Sequence, residues 1–227
     1  MIIKNIKISS QNVWKNNLII NMILKTRFEF DIVFIQKLSW SSIHAILSSK
    51  SRDSKKLVDV PNHPNWLVSV NSSSNIHDYL RVITYVNIRL SSFWFSLYKD
   101  VINHRDILLI FFFINNNIFF LINIYSNSLQ SALKCLKDTK VDIPNVLIMT
   151  GDFNIRNSFW DPLYLYHSIY SNLLIDIIDS LLLELLYPTN LVPTRYLDSD
   201  RSSNLVIDPM FLRYGSKELD NHSIYLE

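Results

Sequence analysis

Between Ile107 and Tyr125 the chain reads ILLIFFFINNNIFFLINIY, an apolar stretch that Asn115, Asn116 and Asn117 cut into runs of eight residues or fewer. A helix that spans a bilayer needs about 20 consecutive, mostly apolar residues, because lipid offers no partner to a bare polar group. Amides in the middle of the stretch break that requirement. Two buried strands joined by a polar turn satisfy it instead, since a turn leaves the amides in water. Strands this apolar must be covered on both faces, so the rest of the chain has to supply further sheet and helices.

The remaining segments can do so. IIKNIKISS reads as a first strand, and NNLIINMILKTR as a helix with Leu18, Ile19, Met22 and Ile23 on one face. DIVFIQ, from Asp31 to Gln36, is short, apolar and β-branched, as a central strand is. RVITYVNIRL, from Arg81 to Leu90, opens a block of three or four strands that runs to Tyr125. Leu129, Ala132, Leu133 and Leu136 recur at helical spacing, Asn145 to Thr150 forms a buried strand, and Leu173 to Leu183 is amphipathic with Asp176 and Asp179 on its wet face. Asn204 to Arg213 and His222 to Leu226 read as two closing strands. The polar stretch Ser48 to Trp66 reads as a surface loop whose Lys50, Arg52, Lys55 and Lys56 either touch phosphates or are simply solvated. Helices interleaved with a block of successive strands imply an α+β chain: two packed sheets with helices outside.

With 48% hydrophobic and 13% aromatic residues in 227, the chain can bury a substantial core, and it is expected to form one domain over residues 1–227. A formal charge of +2 permits a nucleic-acid partner without naming one. The lone Cys135 excludes an internal disulfide and fits a reducing compartment, nucleus or cytoplasm; on its helix it reads as a small buried thiol. MIIKNIKISSQNVW lacks the apolar core and cleavage site of a secretory signal, and no membrane association is expected.

Chemistry enters at VLIMTGDFNIRNSFWD, where Gly151, one of two glycines, follows an apolar run and precedes Asp152, Phe153 and Asn154. A residue without a side chain allows a sharp turn off the strand or the close approach of a phosphate. Asp152 and Asn154, two apart, share one face of an extended segment. There a carboxylate can bind a divalent cation or take a proton from water, and an amide can donate to a charged phosphate oxygen. The same two residues can also merely close a turn.

The fragments SSQNVWKNN, FDIVFIQ, SWSSI, VPNHPNW, RVITYVNIRLSS, NHRDI, NIYS, LIMTGDFNIR, WDP, PTRY and VIDPMFLR occur in this order over nearly the whole chain. In that order they resemble the endonuclease/exonuclease/phosphatase superfamily, which includes abasic-site endonucleases and DNase I. They are most similar to the endonuclease domain of non-LTR (LINE-type) retrotransposon polyproteins. The resemblance implies a DNase I-like four-layer α/β sandwich, Mg²⁺ (or Mn²⁺) as cofactor, the phosphate backbone of DNA as partner, and a reverse transcriptase downstream in the parent element. It implies that Asn12 is a metal-site amide and that Tyr125 contacts the scissile phosphate. Asp152 would orient or deprotonate the attacking water, Asn154 would stabilise the charged phosphorane, and Asp208 would hold a catalytic histidine. Taken singly, Asn12 also suits a strand-end cap, Tyr125 a satisfied core position and Asp208 a turn.

Two departures from the family pattern stand out, beside smaller ones at Leu38, Leu205 and Pro209. The family's second strand ends in Gln-Glu, whose glutamate binds the metal; here Lys37 follows Gln36. Unit charges about 4 Å apart interact by roughly 4 kcal/mol at an effective dielectric near 20, so the reversal removes up to about 8 kcal/mol before solvent screening. Second, relatives continue beyond a strand like NHSIYLE into a Ser-Asp-His segment, whereas this sequence stops at Glu227, and the sandwich is expected to lack its last carboxyl-terminal strand or strands. The expectation is therefore a domain built for Mg²⁺-dependent hydrolysis of DNA phosphodiesters (target-site nicking) but impaired. The alternatives are a catalytically dead DNA-binding relic, or a phosphoesterase for phospholipids or small phosphoesters.

Overall fold

The computed structural model describes residues 5–38, 44–47, 55–58, 61–70, 80–90, 95–97, 102, 104–114, 117–139, 143, 145–161, 168–186, 209–214 and 223–226. In chain order the elements are β1 (Asn5–Asn12), α1 (Asn17–Thr26), β2 (Ile32–Gln36), β3 (His44–Leu47), β4 (Lys55–Val58), β5 (Trp66–Ser69), β6 (Val82–Asn87), β7 (Phe95–Leu97), β8 (Ile107–Ile114), β9 (Asn117–Tyr125), α2 (Ser131–Thr139), β10 (Val146–Asp152), α3 (Ser171–Ser180), β11 (Leu183–Leu185), β12 (Met210–Arg213) and β13 (Ser223–Leu226). One mixed sheet has the order β13-β1-β2-β6-β5, the other β11-β12-β10-β9-β8-β7, and β3 and β4 form a separate hairpin. β1 runs parallel to β2, and β9 parallel to β10.

Alternation along the strands sorts the apolar residues into three layers of packing. Val33, Ile35, Ile83 and Tyr85 face outward from the first sheet and meet Ile20, Ile23 and Leu24 of α1. Ile32, Phe34, Val82 and Val86 face the other way and meet Leu108, Ile110, Phe112, Leu121, Ile148 and Leu212 of the second sheet. The outer face of the second sheet, with Ile107, Leu109, Ile122, Ile124 and Phe211, is covered by Ala132, Leu133 and Leu136 of α2 and by Leu174, Ile177 and Ile178 of α3. Helix, sheet, sheet, helix is the four-layer α+β sandwich expected. The Ile107–Tyr125 stretch is an antiparallel strand pair, as its asparagines require. Among the described residues no helix is long and apolar enough to cross a membrane.

Three local expectations are corrected. α1 buries Ile20, Ile23 and Leu24, whereas Leu18 and Met22 are exposed. Apolar residues lie nearly all round this helix, so periodicity leaves its rotation open, and the sheet beneath selects the phase. Within the supposed loop from Ser48 to Trp66, Lys55–Val58 is a strand paired with His44–Leu47, and Trp66 is buried at the start of β5 with Nε1 donating to the Leu24 carbonyl at 3.0 Å; Lys50 and Arg52 lie outside the described residues. Cys135 is half-buried against the α2–α3 layer rather than enclosed, and burial, then the nearby Asp138, pushes its thiol pKa up.

Between the two sheets the packing changes character along the strands. Ile8, Phe34, Leu121 and Ile148 are apolar and face the gap. Two residues further along the same strands stand Ser10, Gln36, Asn123 and Thr150, and Gln36, Asn123 and Thr150 are fully buried. Gln36 Nε2 donates across the gap to Asn123 Oδ1 at 2.8 Å and to Ser10 Oγ at 3.0 Å. Asn123 Nδ2 donates to the Ile83 carbonyl at 2.9 Å and lies 3.3 Å from both the Ile35 carbonyl and Thr84 Oγ1. A buried network of this kind holds two sheets in one register, because any slide leaves its amides without partners. Removing the amide in Asn123→Ala strands the Gln36 donor and is expected to lower unfolding free energy by about 2–4 kcal/mol, read from the urea midpoint.

Candidate active site

One further step along the strands stand Asn12 on β1 and Tyr125 on β9, both half-buried, and Asp152 on β10, which is fully buried. Gly151 makes this arrangement possible. It pairs with Ile124 of β9, and a Cβ added to it would lie 1.8 Å from the Ile124 carbonyl oxygen, at a φ of +152°. Of the two uses a glycine could have here, neither a turn nor a phosphate is the cause: β10 continues through Asp152, and what approaches closely is the neighbouring strand. That close approach sets Asp152 directly beside Tyr125.

Asp152 is fully buried, and both of its oxygens are engaged. Asn12 Nδ2 donates to Oδ2 at 2.7 Å across the two sheets, and the Asn154 backbone N–H donates to Oδ1 at 3.2 Å. Asn12 Oδ1 in turn accepts from the Trp14 backbone N–H at 3.2 Å. Asn154 sits at φ +51°, a left-handed conformation that asparagine tolerates better than most residues. Its Nδ2 donates to the Ser126 carbonyl at 2.7 Å, and the Ser126 N–H donates to the Asp152 carbonyl at 2.7 Å. Asn12, Tyr125, Asp152 and Asn154 are thus brought together from both sheets. Asp208 lies outside the described residues.

Arg81 and Asp106, which sequence reasoning passed over, and Lys37, which it singled out, stand around these residues. Arg81, just before β6, places its guanidinium 5.2 Å from the centre of the Tyr125 ring and its Nε 3.4 Å from Oδ1 of the fully buried Asp106. The Asp106 carbonyl accepts from the Tyr125 N–H at 2.9 Å. RVITYV and NHRDI carry Arg81 and Asp106, but nothing in their spacing says that the two meet at Tyr125. Lys37 follows β2 at φ +57°, with its carbonyl accepting from the Lys15 N–H at 2.8 Å. Its ammonium lies 3.3 Å from the centre of the Trp14 ring. The Tyr125 hydroxyl pKa is raised by burial first and then by the Asp152 charge, with Arg81 opposing.

No family model matches the sequence, and neither does any curated protein. Solved structures do match. The endonuclease domain of TRAS1, a telomere-specific non-LTR retrotransposon, aligns with a TM-score of 0.63 at 14% identity, covering 90% of this chain and 84% of that one. The AP endonuclease LMAP from Leishmania major aligns with a TM-score of 0.60 at 12% identity over 92% of this chain and 78% of that one. The chain shares its DNase I-like sandwich fold with these two endonucleases. At these identities the likeness speaks for the backbone, and the chemistry rests on the residues present.

Those residues do not fit a resident divalent metal. Among the described residues no cluster of three or more His, Cys, Asp or Glu is placed to hold one. Asp152 is the only carboxylate among Asn12, Lys37, Tyr125, Asp152 and Asn154, and it already accepts from two donors. The Asn12 oxygen, the atom that would ligate a metal, is turned to the Trp14 N–H. Lys37 adds a positive charge just past the end of β2, one residue beyond Gln36, the partner of Asn12 in the β1–β2 register. A hard cation needs several oxygen ligands with compensating charge, and this set offers too few.

Two outcomes are expected from the geometry. Gly151→Ala drives a methyl into a backbone oxygen and should destabilise the fold by at least about 3 kcal/mol, measured by denaturant unfolding. Because the pKa of Tyr125 is raised in the fold, its stabilising contribution is complete below the ordinary tyrosine value of about 10 and is lost as pH rises through the raised value. Tyrosine ring-carbon NMR titration should show that value falling in Asp152→Asn and rising in Arg81→Ala.

Proposed function

We propose that this domain is a nucleic-acid phosphodiester site of the nuclease type in which Lys37 has taken over the charge that a divalent cation supplies in the resembled family, leaving a site that binds DNA and hydrolyses it poorly or not at all. The single observation that carries this reading is the 2.7 Å hydrogen bond from Asn12 to Asp152, which joins residues 140 apart in sequence at the mouth between the sheets. A fully buried carboxylate beside a neutral tyrosine hydroxyl, two amides, Arg81 and Lys37 suits an anionic tetrahedral group.

The roles follow from what each group can donate or accept. Lys37 and Arg81 neutralise phosphate charge, and the Tyr125 hydroxyl donates to a non-bridging oxygen. Asp152 supplies the carboxylate that could orient a water or take its proton. Asn154 gives one Nδ2 hydrogen to the Ser126 carbonyl, which orients the amide, and its second N–H could donate to a phosphorane oxygen. The family's distal acid, Asp208, belongs to the proposal through the resemblance alone, as does a reverse transcriptase beyond this domain. Mg²⁺ or Mn²⁺ would supply Lewis acidity in a relative that holds it.

Supercoiled-plasmid nicking in millimolar Mg²⁺ tests this reading. Wild type is expected to stay within about twofold of Asp152→Ala, and Lys37→Glu is expected to gain Mn²⁺ affinity by at least about 100-fold, measured by calorimetry. Wild-type nicking well above the Asp152→Ala background would replace the impaired reading with that of an active metal-dependent endonuclease.

A further inference from the structure

Trp14 is large, 46% exposed and next to the phosphate site, with its backbone N–H on Asn12 Oδ1. Its conformation is costly. Trp14 has φ +49° and Lys15 φ +65°, and the strand end opposite them carries Lys37 at φ +57°. Left-handed conformations are costly for bulky residues and persist only where surrounding contacts impose them. The hydrogen bonds from Lys15 N–H to the Lys37 carbonyl and from Trp14 N–H to Asn12 lock these two turns against each other. The locked turns display an indole with an ammonium 3.3 Å from its ring centre. A second pair, Arg81 over Tyr125, comes together at the end of β9, where Tyr125 is paired with Asp152.

Aromatic rings interleaved with cations along a phosphate site are the equipment of single-strand recognition: rings stack on base faces while cations follow the backbone. An indole at the mouth of such a site has little to stack on in a duplex, where every base face is covered by its neighbour. It can take a base that is unpaired or splayed out. The ammonium on the ring supplies a fixed positive charge without a divalent ion, which matches the poor metal fit of the residues beside it.

We propose that Trp14 and Lys37 form a base-and-phosphate clamp that binds single-stranded nucleic acid in preference to duplex, without a divalent cation. The proposal rests on the phosphodiester reading of the Asp152 site and adds to it the substrate class. Trp14 supplies the stacking surface, Lys37 contacts the phosphate next to the stacked nucleotide, and the locked turns keep both in place before the strand arrives, so little side-chain freedom is lost on binding.

Fluorescence anisotropy with the full chain, a fluorescein-labelled oligothymidylate and a blunt duplex of the same length, in chelator, tests this. The expected result is at least about tenfold tighter binding of the single strand, lost in Trp14→Ala and largely kept in Trp14→Phe, with duplex affinity changed by less than about twofold. Lys37→Gln should lower the slope of log affinity against log salt on the single strand by about 0.7, the share of one phosphate. Unchanged melting temperatures of the variants would exclude unfolding as the cause. Equal binding of single strand and duplex, equal loss on both in Trp14→Ala, or binding only with added Mg²⁺ would overturn the clamp and leave the phosphodiester reading standing. Failure to bind either probe would overturn both.

Discussion

Everything at the site depends on how closely β9 and β10 approach at Gly151. A parallel pair normally leaves room for a Cβ, and here that room is taken by the Ile124 carbonyl. The closure brings the last residues of two strands, Tyr125 and Asp152, side by side at the mouth of the gap. Asp152 is held from the opposite sheet by Asn12, so the two sheets meet through a charged hydrogen bond rather than through apolar contact at this end. With a bulkier residue at position 151 the strands would separate, and the carboxylate would lose its place relative to both neighbours.

The gap between the sheets reads as a graded medium. Ile8, Phe34, Leu121 and Ile148 pack at one level, the Gln36–Asn123 network crosses at the next, and the third level holds Asn12, Tyr125 and the buried Asp152. The apolar core, the polar network and the candidate site thus follow one another along the same strands in steps of two residues, the period of the pleat. Gln36 Oε1 and Thr150 Oγ1 are buried in the middle level with no hydrogen-bond partner among the described residues, a place suited to ordered water. The rigid middle level limits how far the site can relax when charge is added or removed at its mouth.

Charge at the mouth is where this chain parts from the family its fragments resemble. A lysine at the end of β2 brings a monovalent cation on a flexible stem to a place that calls for a carboxylate in relatives. The Trp14 ring restrains that stem, because an ammonium over an indole face is attracted by the ring quadrupole. Arg81, lying on Tyr125 and reaching the buried Asp106, repeats the device at the second sheet. Among the described residues, Lys37 and Arg81 place two cations on aromatic rings at the strand ends around Asp152.

Much of this was legible in the amino-acid order. The Asn-broken run from Ile107 to Tyr125, the buried β2 and the strand into Gly151 declared themselves, because burial of a strand leaves an apolar run and a turn leaves polar residues. Asn12, Asp152 and Asn154 stood out by their place at strand ends and by resemblance. Residue order could not set the rotation of α1, where Leu18 and Met22 are as apolar as the residues that are buried, nor place Trp66 beneath that helix. Nor could it show that Arg81 meets Asp106 and Tyr125, or that Lys37 rests on Trp14. Local preference and strand period depend on neighbours along the chain and are written there. The company a charge keeps depends on which strand ends the packed sheets bring together, and only the tertiary structure decides that.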